Sequence, residues 1–260
     1  MRPSRSPSTS AAITRRLSSS LEALRERASE AGVFLDFDGS LSRIVARPEL
    51  ARPVEGAREA LARLVGRFRV VAIVSGRPTA EVARLLRVPG LLYEGLYGME
   101  DVAPAMPAGV VSHARSAAAA VQGAWVEDKG ASVAVHYREA PDHEAARAAL
   151  AHALEPVASE MGLEVVEGKM VLELVPAGRP RKGGTVERVA ARYRLAGALF
   201  AGDDVADLDA FDSLDRLATA GLVAVKVAVR GEETPEALVR AADIVADGPE
   251  GLVELLRQIV

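Results

Sequence analysis

Six short runs of this chain are apolar at nearly every position instead of every second one: 32–38 (GVFLDFD), 69–76 (RVVAIVSG), 91–95 (LLYEG), 198–204 (ALFAGDD), 223–229 (VAVKVAV) and 243–247 (DIVAD). A strand with one wet face alternates apolar and polar residues. A strand that does not alternate must be covered on both faces, the condition met in parallel sheets flanked by helices. Helical spacing fills the gaps, at 54–66 (Ala57, Leu61 and Leu64 on one face), at 78–87 opened by Pro78, and at 183–194, 206–214 and 249–258. The fold class expected is α/β, with a Rossmann-like parallel sheet as the core.

The stretch from 104 to 179 has a different grammar. A helix at 109–122 precedes strands at 125–128 and 132–138, and a long Ala-rich helix at 142–160 precedes strands at 163–167 and 170–175. These strands come in pairs separated by short turns around Lys129-Gly130 and Gly168-Lys169, the pattern of an antiparallel α+β module. We therefore expect a core made of 21–103 and 180–260, interrupted by a second domain at 104–179. Residues 1–20 are rich in Ser, Arg and Pro, and they read as a disordered tail without the apolar stretch of a secretory signal. A short amphipathic helix is expected at 21–30.

Composition removes several chemistries. Cysteine is absent, which excludes disulfides, thiolate metal sites and cysteine nucleophiles, and four histidines are too few for a multi-histidine centre. The formal net charge of −4 argues against nucleic acid as the main partner. No run reaches the roughly 20 apolar residues of a membrane span. Only four of the 32 basic residues are lysines, at 129, 169, 182 and 226. A compact ammonium retained in so arginine-rich a chain hints at a required shape.

Four motifs stand at the ends of the apolar runs. Asp36 and Asp38 in Asp36-Phe37-Asp38-Gly39-Ser40 share a side in extended chain, at the carboxyl end of a buried strand, where open α/β sheets build their sites. Such acids also serve as turn residues. Asp203, Asp204 and Asp207 follow the strand at 198–201. Helix capping accounts for one of them, whereas two converging acid clusters suit a hard cation such as Mg²⁺. Ser75-Gly76-Arg77-Pro78 opens a helix with a hydroxyl and free N–H groups that suit a phosphate oxygen, or simply turns the chain. Lys182-Gly183-Gly184-Thr185 opens another helix without the spacing of a Walker A loop. In the middle module, Glu127 and Lys129 share a strand face, and Lys169 and Glu173 lie four apart. They read either as salt bridges on a wet sheet or as ligands.

Taken in order, DFDGS, VAIVSGRP, RKGG and FAGDDVAD resemble the motif set of the haloacid dehalogenase superfamily of aspartate-nucleophile phosphatases, over most of 31–258. GLYGMED, WVEDKG, VAVHYR and GKMVLELVPAGRPRKGG bring the resemblance closer, to the trehalose-phosphatases of actinobacteria. The resemblance implies an α+β cap inserted in a haloacid dehalogenase-type core, and hydrolysis of trehalose 6-phosphate. It implies Asp36 as nucleophile and Asp38 as acid and base. Mg²⁺ would be held by Asp36, Asp203, Asp207 and the main-chain carbonyl of Asp38, with Asp204 in support. Ser75 and Lys182 would hold phosphoryl oxygens, and Gly76, Arg77, Glu127, Lys129, Arg138, Lys169 and Glu173 would bind substrate. A sugar phosphate is then the expected partner of a cytoplasmic monomer. Ser40, Tyr97 and Arg181 depart from the usual Thr, His and Asp. Another sugar-phosphate phosphatase, or a silent regulatory copy of the fold, remains the alternative. The histidines and Trp125 read as packing or surface residues, and Lys226 has no assigned role.

Overall fold

The computed structural model describes residues 19–100 and 106–260. The expected tail lies outside them except for its last two residues, and so does the expected boundary at 103–104. Helix α1 (19–26) begins slightly before the expected segment and tucks Leu24 fully into the core before a 3-10 turn at Ala28–Glu30.

The chain then lays down β1 (Ala31–Leu35), α2 (Ala57–Val65), β2 (Val70–Val74), α3 (Thr79–Leu86) and β3 (Leu92–Glu94). Every residue of β1 and β2 is buried, as their unbroken apolar sequence requires. After β3 come α4 (Val110–Ala119), β4 (Trp125–Asp128), β5 (Val133–His136), α5 (His143–Glu160), β6 (Leu163–Gly168) and β7 (Val171–Pro176). The first pattern resumes with α6 (Lys182–Tyr193), β8 (Gly197–Gly202), α7 (Val205–Thr219), β9 (Val223–Arg230), α8 (Glu236–Ala241), β10 (Ile244–Asp247) and α9 (Gly248–Gln258).

Two sheets result. Six parallel strands run β10-β9-β8-β1-β2-β3, and four antiparallel strands run β4-β5-β7-β6. The parallel sheet is buried on both sides. One face packs Val33, Leu35, Val71 and Ile73 against α2, α3 and α9, and the other packs Phe34, Ala72, Ala198 and Phe200 against α6 and α7. Its chain order reverses between β1 and β8. In doubly wound sheets that switch point leaves a crevice at the carboxyl ends of the strands.

The antiparallel sheet has one dry face. Val126, Val133, Val135, Leu172, Leu174, Leu163 and Val165 pack with Val110, Ala114, Leu150 and Leu154 of α4 and α5. The pairing register puts Glu127, Ala134, Glu173 and Val166 in one row of the other face, and Trp125, His136, Val171 and Gly168 in the next.

Two expectations shift. Strand β1 stops at Leu35, because residues 37–42 fold into a turn in which the Ser42 and Leu41 N–H groups donate to the Phe37 carbonyl at 2.9 Å. Helix α7 runs five residues past the expected end, and the short helix α8 had no counterpart in the sequence reading. Lys226 emerges from β9 onto Asp215 of α7, with Nζ–Oδ1 2.7 Å.

Phe200 is fully buried and meets Phe211 edge-on at a centroid distance of 6.2 Å. Phe200→Ala is expected to lower the unfolding free energy by about 3–5 kcal/mol, read by urea titration. A loss under about 1 kcal/mol would show that α6 and α7 close over the gap.

Candidate active site

The strands on the two sides of the switch point are each followed directly by an aspartate. Asp36 follows β1, and its N–H still donates to the Ala201 carbonyl of β8 at 2.9 Å. Asp203 follows β8 directly, and Asp207 sits in the first turn of α7. All three are buried, and one carboxylate oxygen from each lies within 4.8 Å of the others. Gly39 lets the two loops meet. It has φ 84°, and a Cβ there would stand 1.9 Å from Asp203 Oδ2.

Two lysines face the three acids. Lys182, at the start of α6, donates to Asp36 Oδ1 at 2.8 Å and Asp207 Oδ1 at 2.6 Å. Lys169, in the β6–β7 turn, pairs with Asp203 Oδ2. Asp207 Oδ2 also accepts the N–H groups of Asp203 and Asp204, each at 2.8 Å, so it braces the loop as much as it carries charge. Three carboxylates against two ammonium groups leave the cluster one positive charge short. Burial raises the pKa of Asp36 well above the ordinary carboxylate value; Lys182 opposes the rise, and Asp207 and Asp203 add to it. Burial likewise lifts Asp203 to about 6, opposed by Lys169 and reinforced by Asp207. Burial opposes the charge on Lys182, yet its two carboxylates outweigh this and hold its pKa well above normal. A compact, oxygen-lined group short of positive charge fits a hard divalent cation.

Asp38 stands apart from this group. Its carboxylate is gripped by the Arg77 fork, Nε–Oδ2 2.6 Å and Nη2–Oδ1 2.8 Å, and Arg77 is further held by the Pro48 carbonyl and by Glu81. Arg77, expected on substrate, thus orients Asp38. Ser75 is buried at the end of β2, where its Oγ accepts the Arg77 N–H at 3.2 Å.

The polar face of the antiparallel sheet forms the opposite wall of one open cleft of about 1130 Å³, lined by Asp36, Asp38, Ser75, Gly76, Arg77 and Lys182 on one side and by Glu127, Lys129, Arg138, Lys169 and Glu173 on the other. Asp204 lines it too. Every substrate-binding candidate therefore reaches the same space. Several are engaged with protein partners: Lys129 with Glu173 at 3.1 Å and the Gly76 carbonyl at 3.3 Å, Glu173 with Ser132 at 2.6 Å, and Arg138 with Glu233 beyond β9, Nη2–Oε2 2.9 Å.

The sequence reading missed His136. It stacks on Trp125, with centroids 4.0 Å apart, and meets Glu127 Oε2 at 2.9 Å on the cleft wall. The available signal was period 2: Trp125 shares a strand face with Glu127, and His136 is Trp125's direct cross-strand partner. Tyr97 was noted only as a departure, yet it also lines the cleft.

The raised pKa of Asp203 makes a thermodynamic prediction for chelated protein. Its folded-state pKa of about 6 exceeds the unfolded one near 3.8, so the folded state holds the extra proton between them. Stability from this group is present below that window and lost as pH rises through it. Asp203→Asn is expected to raise the melting temperature in EDTA at pH 7 by roughly 2–6 °C, with the advantage shrinking towards pH 4.5. Equal melting of both proteins at pH 7 would count against a disfavoured charge.

The chain matches the family model described as Trehalose-phosphatase over residues 34–243. It is 37% identical over 201 residues to a trehalose-phosphate phosphatase of Mycobacterium avium, an alignment covering 70% of this chain and 51% of that protein. It thus spans about half the length of the relative it matches. Among solved structures, the C-terminal domain of Candida albicans trehalose-6-phosphate phosphatase superposes with a TM-score of 0.78 at 21% identity, over 92% of this chain and 95% of that one. A haloacid dehalogenase-like hydrolase of Bacteroides thetaiotaomicron superposes at 0.58 with 19% identity, over 88% and 99%. These two likenesses speak for the fold, a parallel haloacid dehalogenase-type core with an inserted cap. The family match and the relative's identity settle the membership: this chain belongs to the trehalose-phosphatase family.

Proposed function

We propose that the chain is a Mg²⁺-dependent phosphatase that hydrolyses trehalose 6-phosphate to trehalose and phosphate through an aspartyl-phosphate on Asp36. The observation that carries this reading is a buried carboxylate cluster at the sheet's switch point, one member of which, Asp36, lines the cleft opposite the polar face of the inserted sheet. The module at 104–179 is then the cap, and the substrate is an intracellular sugar phosphate met in the cytoplasm.

Asp36 attacks phosphorus in line with the sugar oxygen. The P–O bond to the sugar breaks, and Asp38 gives that oxygen its proton. Asp38, held by Arg77, then takes a proton from the water that cleaves the acyl phosphate, which returns Asp36 and releases phosphate. Ser75 and Lys182 hold phosphoryl oxygens, and Lys182 aims Asp36 and opposes the loss of its charge on burial. Asp36, Asp203, Asp207 and the Asp38 main-chain carbonyl would hold Mg²⁺, which when bound supplies neutralisation of the phosphoryl charge. Glu127, Lys129, Arg138, Lys169 and Glu173 offer charged acceptors and donors to sugar hydroxyls. Of these, Glu173 and Glu127 line the same row of the cap sheet.

Four measurements test the reading. Phosphate release should be far faster from trehalose 6-phosphate than from glucose 6-phosphate, whose single ring cannot make the remote contacts that position the phosphate; equal efficiency favours a broad sugar-phosphate phosphatase. Asp36→Asn should abolish release while the protein still melts cooperatively, and activity should vanish in EDTA and return with Mg²⁺. Glu173→Ala should cut kcat/KM for trehalose 6-phosphate by roughly ten- to a hundredfold and leave p-nitrophenyl phosphate nearly untouched. Equal loss on both substrates would make Glu173 a structural residue. Absence of release from every sugar phosphate would return the silent homologue.

A further inference from the structure

The backbone at Leu96 and Tyr97 is held where side chains other than glycine rarely sit. Both residues are left-handed, with φ 48° and 59°, in the tight turn Gly95–Gly98 that follows β3. Their surroundings fix them there. The Tyr97 N–H donates to the Ser75 carbonyl at 3.0 Å, the Leu96 N–H donates to the Arg77 carbonyl at 3.0 Å, and Thr185 Oγ1 donates to the Tyr97 carbonyl at 2.8 Å. Leu96 itself is buried with Met99 and Val175. Strain maintained by so many partners is the kind found where a side chain must be presented in one direction.

The direction here is into the cleft. The Tyr97 ring has Lys182 Nζ at 5.6 Å and the Arg179 guanidinium carbon at 5.1 Å from its centroid, so two cations lie against it. Its hydroxyl lies over Gly76, the residue after Ser75. A Cβ at Gly76 would come within 2.6 Å of that oxygen, so only glycine admits it. Tyr97 is only half-buried, and among the described residues no group accepts a hydrogen bond from its hydroxyl, which is free to donate into the cleft it lines.

We propose that the Tyr97 hydroxyl is a third donor to the transferring phosphoryl group, beside Ser75 and Lys182. The inference rests on the phosphatase reading above. The phosphoryl oxygens are favoured over the sugar because the ring packs on the lysine of the phosphate site and its tip rests on the Ser75-Gly76 loop. Burial pushes the phenol up to about 12, so it stays a protonated donor at neutral pH.

Tyr97→Phe removes the oxygen and keeps the ring that packs on Lys182. The expected result is a fall in kcat/KM on the order of tenfold for both trehalose 6-phosphate and p-nitrophenyl phosphate, which share only the phosphoryl group. Inhibition by inorganic phosphate should weaken by a similar factor, and the melting temperature should stay at the wild-type value. Unchanged turnover and unchanged phosphate inhibition would overturn the assignment. A loss confined to trehalose 6-phosphate would overturn it too, placing the hydroxyl on sugar. A wild type that hydrolyses neither substrate would instead overturn the phosphatase reading beneath it.

Discussion

Lys182 joins two carboxylates, Asp36 and Asp207, in a space from which water is nearly excluded. An unpaired acid there would give up its charge rather than remain ionised. The pairing opposes that loss of charge at the end of a strand buried on both faces. It also ties three separate chain segments together, since β1, the start of α6 and the start of α7 each supply one member. Asp207 extends the brace by receiving the N–H groups of Asp203 and Asp204, which fixes the loop from which Asp203 points. The cluster still lacks one positive charge after Lys169 is counted, and that deficit gives a divalent cation its electrostatic reason to bind.

The two sheets contribute unlike surfaces. The parallel sheet delivers charges at strand ends, where the backbone is rigid and the crevice is dictated by topology. The antiparallel sheet delivers a whole wall, because its alternation puts every second residue on the cleft side while α4 and α5 cover the other. The walls are linked at several points by charge: Lys129 to the Gly76 carbonyl, Arg138 to Glu233, and Arg47 to Glu139 at 3.0 Å. Arg138 and Lys129 are therefore both cleft residues and fasteners between the two halves.

The parallel strands, both hairpins and most helices were legible because burial on two faces and alternation on one leave different apolar patterns. Asp36 and Asp203 stood out for a related reason, as acids directly after an apolar run, and Asp207 as the third member of the second acidic cluster. Less legible was anything decided by tertiary partners. Arg77 was read as a substrate ligand, yet it lies in a fork around Asp38 that no spacing could reveal. His136 was read as packing, and its place beside Glu127 depends on the β4–β5 register. Helix α8 is six residues long with one buried side chain, Leu238, too little periodicity to register. Tyr97 was invisible as a cleft residue because its direction follows from a left-handed turn rather than from a strand or helix period.

Strands β1 and β8 pair with Leu35 opposite Ala201, so Asp36 and the Gly202-Asp203 loop leave the sheet side by side. A slip of one residue would slide one acid by about 3.3 Å and turn its side chain to the opposite face of the sheet. Half-correct assembly therefore leaves no half-built cluster: a collapsed chain with native helices and strands but misaligned central strands would not bring Asp36 and Asp203 together. On the phosphatase reading, turnover would in effect gauge strand alignment at the centre of the sheet, and its return on refolding would report that this strand pair has locked.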